Sequence, residues 1–423
     1  MRLALVTCGT RGDTQPMLVL ALELQRRGHE VVLGVSPNLV GWCLAAGVTA
    51  LPFGPDSQAF MTSARGQEWL AAGNVRAFMA ALSAESTQHA PESRAQLRAV
   101  TAGADLVVAG VLAEDVALAA AEAAGVLLVT LHSFPVRRTS AYPAALVTQR
   151  PLPAPVNRIT HLLFEQVWWR GVRTEVADCR RDLGLPASRR STARQLADRG
   201  STEVQAYSRL LVPALDDYGP HRPLVGFLDP TPELRARVGE TGIDPDLAGW
   251  LDEGPPPVFV GFGSMPVTDP AAALDRVRAV CTRLGLRALV GAGWSAFTGA
   301  GDDRVRVAGV LDHDAVLPRC AAAVHHGGAG TTSAVVSAGL PSLVCSVFAD
   351  QPFWGARLQA LGVGTHVRFA DLDETALERG LRAALEPATV ERAGRLGAAL
   401  REERGAELRV ADLLEATVER TPV

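Results

Sequence analysis

Short apolar runs alternate with stretches of helical periodicity from the first residues onward. "RLALVTC" reads as a buried strand, the segment from about Thr14 to Arg27 as an amphipathic helix, "HEVVLGVS" as a second strand and "LVGWCLAAG" as a second helix. Further on, "ADLVVAG", "EDVALAAAEAAG" and "VLLVTLHS" repeat the strand, helix, strand order. Apolar runs of about four to eight residues, separated by helical patterns, predict βαβ units and therefore a parallel sheet covered on both faces. The rhythm breaks in a proline-spaced region from Pro135 to Pro155 and restarts at "PPPVFVGFGS". It continues through "LRALVGAG", "VRVAGVL", "AAAVHHGG" and "PSLVCSVF", and ends in a helical tail rich in Ala, Leu, Arg and Glu.

Between the two series, "VPALDDYGPHRPLVGFLDPTP" concentrates Pro, Gly and Asp, which is the composition of a linker. The expected organisation is a first α/β domain over 1–212, a linker over 213–240, a second α/β domain over 241–400 and a terminal helix over 401–423. In open parallel sheets ligands bind outside the carboxyl ends of the strands, so the strand-to-helix loops are where chemistry is sought.

Composition narrows the function. With 423 residues and 48% hydrophobic content the chain has room for two or three domains. A net charge of −4 supplies no overall basic field for nucleic acid or an anionic membrane, so no nucleic-acid partner is expected. All 41 basic residues are arginine, which excludes mechanisms needing a lysine Schiff base or a Walker-type lysine. The six cysteines show no C-x-x-C spacing and read as buried thiols of a reducing compartment. "MRLALVTC" is too brief for a signal-peptide core, and no later run reaches the roughly 18 apolar residues of a membrane span. A cytoplasmic protein without integral membrane association is expected.

One loop stands out. In "AAAVHHGGAGTTSAVVSAGLPSLVC" a strand leads into bare backbone and then into a helix starting near Thr331, Thr332 and Ser333. Free N–H groups at a helix N-terminus, with the dipole behind them, bind phosphate. His326 adds a donor in a chain without lysine. A tight strand-to-helix turn capped by Thr331 is the structural alternative. "VFVGFGSM" is a second glycine loop after a strand and brings Ser264; "FADQPFWGARL" puts Asp350 and Gln351 after another, either facing sugar hydroxyls or capping a helix. In "GTRGDTQP", after the first strand, Asp13 is either a helix cap or a carboxylate able to take a proton from an attacking hydroxyl.

Taken in order, "GTRGDTQP", "GFGSM", "HHGGAGTT" and "ADQPFWGARLQALGVG" resemble the GT-B nucleotide-sugar glycosyltransferases, nearest to the bacterial natural-product and sterol-type glucosyltransferases. The resemblance implies an α/β GT-B fold of two doubly wound Rossmann-like domains facing across a cleft, the first for the acceptor and the second for the donor, with the final helix returning to the first. By position it makes Asp13 the catalytic base, Ser264, His326, Gly328, Gly330 and Thr331 the diphosphate site, and Asp350 and Gln351 the sugar site. Trp294, Val310 and Leu311 are positional candidates for the nucleobase. The plant-type "HCGWNS" is replaced here by "HGGAGT", and no histidine stands at the base position.

The expected reaction is a metal-independent, inverting transfer of a hexose, glucose foremost, from a UDP- or TDP-sugar to an acceptor hydroxyl; no cofactor and no metal site are expected. Trp69, Phe78, Met79 and Phe134 are candidate acceptor walls and imply a hydrophobic, hydroxylated small molecule such as a polyketide, sterol or phenol. Phe164, Trp168 and Trp169 sit at a helical spacing that also suits core. A nucleotide-sugar epimerase of the same architecture, or a non-catalytic helper, are the competing readings.

Overall fold

The computed structural model describes residues 1–64, 66, 75–295, 297 and 303–419, the side chains of 75–79, 82 and 83 excepted. It contains two six-stranded sheets, parallel throughout. The first runs in the order β3-β2-β1-β4-β5-β6, from β1 (Arg2–Val6), β2 (Glu30–Val35), β3 (Thr49–Pro52), β4 (Leu106–Gly110), β5 (Leu127–His132) and β6 (Glu203–Gln205). The second runs β12-β11-β10-β7-β8-β9, from β7 (Val258–Gly261), β8 (Ala288–Gly291), β9 (Val305–Ala308), β10 (Ala322–His325), β11 (Ser342–Ser346) and β12 (Gly364–Arg368). Both orders reverse direction at the middle pair, β1 with β4 and β7 with β10. That is where a doubly wound sheet opens a crevice for a ligand.

Continuous apolar strands follow from burial on both faces. In β1, Leu3 and Leu5 join a core with Met17, Leu20 and Leu24 of the helix Arg11–Arg26. Ala4 and Val6 point the other way, into a core with Leu97, Val100, Ala117 and Ala121. In β7, Val258 and Val260 pack with Leu274, Val280 and Cys281, and Phe259 packs with Leu247, Trp250 and Leu251. All six cysteines are free thiols.

The chain divides into two compact units. One comprises Met1–Phe60, Val75–Val238 and the chain from Gly405 on; the other comprises Gly239–Arg404 with a short stretch from Met61. Most of the proline-rich 213–240 segment is packed within the first unit: Val225, Leu228 and Leu234 enter its core, and the backbone of Gln205 and Val225 is hydrogen-bonded. The helix Ala406–Glu419 also belongs there. Ala406, Val410, Ala411 and Leu414 complete the core of the helix Arg11–Arg26, and Arg27 reaches across to Asp412 at 2.6 Å and Glu415 at 2.9 Å.

Candidate functional site

In the first unit, β1 ends and the chain turns through Gly9 and Thr10 into the helix Arg11–Arg26. This helix begins three residues before the position periodicity suggests, because Thr10 and Asp13 form a capping box. The Asp13 carboxylate accepts the Thr10 N–H at 2.8 Å, and the Thr10 hydroxyl accepts the Gly12 N–H at 3.3 Å. Gly9 has φ of +126°, and a Cβ there would sit 2.3 Å from the Asp13 carboxylate, so the carboxylate folds back over bare backbone. Asp13 is half-buried. Burial raises its pKa to about 6, against the opposing hydrogen bonds from Thr10. Of the two alternatives set out from the sequence, the capping role of Asp13 is the one seen in these bonds.

The second unit builds its site at its own reversal point. Gly261 pairs with His325, so the loops after β7 and β10 leave the sheet side by side. His326 lies over the first loop: a Cβ at Gly263 would be 3.1 Å from its Cε1, and one at Gly328 would be 2.5 Å from its Nε2. Ser264, half-exposed, follows in that loop. Gly327 takes φ of +88°, and a side chain there would meet Val344 at 2.6 Å and the Gln351 carbonyl at 3.0 Å. The positive φ and the close approach of Val344 and the Gln351 backbone therefore account for this glycine.

The helix that follows spans Ala329–Ser337, with Gly328 at its N-cap and no side-chain cap. This corrects the expected start near Thr331: Gly330 and Thr331 lie in the first turn, and Thr331 does not cap it. Thr332 bonds back to the Gly328 carbonyl, and the N–H groups of Gly330 and Thr331 have no partner among the described residues. His326 is held neutral, since burial lowers its pKa to about 4 while a backbone contact to Gly261 opposes the shift. A neutral ring with its Nε2 at Gly328 and two amides without partners among the described residues form an uncharged set suited to an anion. His325 is buried outright. Its Nδ1 accepts the Gly327 N–H at 3.2 Å, which fixes the turn.

Asp350 and Gln351 are engaged in internal bonds. Asp350 accepts the Ala329 N–H at 3.2 Å and the Trp354 indole N–H at 3.0 Å, which ties the two helix starts together. The Gln351 side-chain oxygen accepts the N–H groups of Val347 and Phe348, closing a turn in which Ala349 takes φ of +56°. Gln351 is only 5% exposed, so its carbonyl belongs to the fold.

Trp294 is brought beside the first glycine loop, its backbone N–H donating to the Gly263 carbonyl at 2.9 Å. Val310 is 73% exposed on the loop after β9, whereas Leu311 turns inward against Gly291. Of the expected acceptor walls, Trp69 and the side chains of Phe78 and Met79 lie outside the described residues. Phe134 is buried. Trp168 holds Asp115 through its indole N–H at 2.9 Å, a structural use of that ring.

A buried ion network went unread in the sequence. Arg137 bonds both oxygens of Glu114, at 3.0 and 2.7 Å, and pairs with Glu203; His132 meets Glu114 at 2.9 Å; Tyr218 donates to the Arg137 carbonyl at 3.1 Å. It anchors the chain leaving β5. A histidine ending one strand and an acid opening the helix after the neighbouring strand were its only signals. Among the described residues no group of three His, Cys, Asp or Glu side chains is arranged to hold a metal ion.

Comparison with known proteins agrees with this layout. Residues 3–140 match the glycosyltransferase family 28 N-terminal domain, and 293–416 match the erythromycin biosynthesis protein CIII-like C-terminal domain. An uncharacterized glycosyltransferase of Mycobacterium tuberculosis is 38% identical over 99% of this chain and 100% of its own. The O-mycaminosyltylonolide 6-deoxyallosyltransferase of Streptomyces fradiae is 34% identical over 96% of this chain and 95% of its own. Among solved structures, the glycotransferase of kitacinnamycin superposes with a TM-score of 0.68 at 22% identity, covering 99% of both chains. Spinosyn rhamnosyltransferase complexed with thymidine diphosphate gives 0.63 at 19% identity, covering 98% of this chain and all of its own.

Proposed function

The chain belongs to the glycosyltransferases, of the GT-B natural-product type, and on that premise we propose that it transfers a hexose, glucose foremost, from a UDP- or TDP-sugar to a hydroxyl of a hydrophobic small molecule. The observation that carries this reading is the uncharged donor set of Gly330, Thr331 and His326 at the reversal point of the second sheet. The streptomycete relative, named for transfer of a deoxyhexose to a tylonolide, supports an acceptor of the greasy, hydroxylated class.

In the proposed reaction the acceptor oxygen attacks the anomeric carbon as its proton passes to Asp13. The bond from that carbon to the diphosphate oxygen breaks, and the electron pair leaves with the diphosphate. One displacement inverts the centre, and one base suffices. The amides of Gly330 and Thr331, with the helix dipole, hold the growing charge on the leaving group, the task a divalent metal performs in other transferases. Asp350, fixed beside the first turn of that helix, is assigned to the sugar, and Ser264 to the diphosphate. The nucleobase is assigned to the loops bearing Trp294 and Val310.

Release of UDP from UDP-glucose and of TDP from TDP-glucose, measured with and without a panel of polyketide, sterol and phenolic acceptors, tests the reading. Acceptor-dependent release with a glycosylated product is expected. Interconversion of the sugar without an acceptor would indicate an epimerase instead.

A further inference from the structure

The helix Ala154–Asp182 is oriented with its polarity reversed along its first half. Its polar residues face inward: Asn157 donates to the Ser140 carbonyl at 2.8 Å, the Thr160 hydroxyl accepts the Ala144 N–H at 2.8 Å, and His161 bonds the Tyr142 carbonyl at 3.1 Å. The aliphatic residues face out. Of the twelve large apolar side chains exposed among the described residues, five lie in this segment: Val156, Ile159, Leu162, Leu163 and Val167, each 39–60% exposed. Isolated exposed leucines need no explanation, but a contiguous row of them does.

Charge says what covers the row. At about 100° of turn per residue the five side chains fall within one arc of about 140°, and Arg170 and Arg173 continue the same arc. Arg150, Arg170 and Arg173 are exposed and have no ion-pair partner among the described residues. The only acid between residues 150 and 173, Glu165, is turned away and bonded to Arg138 and Ser191. An aliphatic stripe ending in unpaired arginines is the pattern of a helix lying in a membrane interface, with acyl chains against the stripe and anionic headgroups against the guanidiniums. Protein hot spots favour aromatic anchors, and none of the five is aromatic. The overall charge of −4 gave no hint of this, but with a screening length of roughly 8 Å the local set governs at contact.

We propose that this face seats the enzyme peripherally on an anionic lipid surface, which goes beyond the transfer reaction and does not rest on it. No helix among the described residues is long and apolar enough to cross a membrane, so the seat is on the surface.

The test is co-sedimentation of the full chain with vesicles of phosphatidylcholine containing phosphatidylglycerol, against pure phosphatidylcholine, alongside sedimentation velocity without lipid. The expected result is binding to the anionic vesicles that falls at least tenfold in the double variant Ile159→Glu with Leu163→Glu, and falls with added salt and in Arg170→Ala with Arg173→Ala. Both variants alter exposed positions, and thermal melting verifies that they fold. Failure to bind anionic vesicles, equal binding by the glutamate variant, or a lipid-free dimer that the same glutamates dissociate would overturn the proposal, the last by showing a second copy on the stripe.

Discussion

The Asp13 carboxylate, which we propose as the proton acceptor, accepts the backbone N–H of Thr10 at 2.8 Å, so the side chain given that role also begins a helix. Asp13→Asn keeps the shape and an oxygen for the Thr10 N–H. It is expected to leave the melting temperature and nucleotide affinity near those of the parent while lowering turnover roughly 10²–10⁴-fold. Asp13→Ala should in addition cost about 1 kcal/mol of stability through the lost cap. Near-parental turnover in Asp13→Asn would remove the assignment.

Acidity should follow the same residue. Because burial lifts the Asp13 pKa to about 6, kcat/KM of the free enzyme should fall as the pH drops through that value, when the base becomes protonated. Stability runs the other way for this group. The unfolded chain ionises near pH 4 and the folded one near 6, so the contribution of Asp13 falls as pH rises through that window and is absent in Asp13→Asn. A rate profile flat from pH 5 to 8 would contradict the assignment.

His326 is half-buried and held neutral, so the proposed donor site should not depend on its charge. His326→Ala should weaken UDP or TDP in calorimetry while leaving acceptor affinity unchanged, and parental affinity should vary little between about pH 5.5 and 8. Activity should survive EDTA. A loss that magnesium restores would show that the loop amides do not replace a metal.

Arg137 joins Glu114 and Glu203 in the first unit, and its removal leaves buried Glu114 with only a neutral His132 while Glu203 keeps Arg222 at 2.9 Å. Arg137→Met is expected to cost about 3–5 kcal/mol in denaturant unfolding. Burial alone would raise the Glu114 pKa, but the charge of Arg137 and the bond from His132 outweigh it and bring it to about 2. Its stabilising contribution is therefore complete above the unfolded value near 4.5 and lost as pH falls toward 2, and that acid sensitivity should shrink in Glu114→Gln.

Ala349 is the one non-glycine with positive φ among the described residues. Ala349→Gly should raise stability by about 1 kcal/mol, because a left-handed alanine carries that much steric cost. A drop on thermal melting would show that the turn beside Asp350 is not strained.

The alternation of strand and helix was legible because central, doubly buried strands such as β1 and β10 lie in apolar runs. The two edge strands of the first sheet were not: Glu203–Gln205 has three residues and Thr49–Pro52 four, too short and too polar to mark a period. The glycine loop marked the helix Ala329–Ser337 but not its first residue, since a helix capped by Gly328 gives no Ser, Thr or Asp signal before it. The apolar spacing of the helix Ala154–Asp182 would ordinarily mark a core face. Only the inward bonds of Asn157, Thr160 and His161 show that it points outward.

The core of the first unit is closed by Ala406, Val410, Ala411 and Leu414, which a ribosome makes after all of the second unit. The unit begun first therefore waits for the final helix before its Leu20 and Leu24 are covered, while the intervening unit, which draws nothing from beyond Arg404, is free to settle earlier. Order of synthesis and order of completion are thus expected to be opposite in this chain. Pulse proteolysis of stalled nascent chains should find the second unit protected before the first.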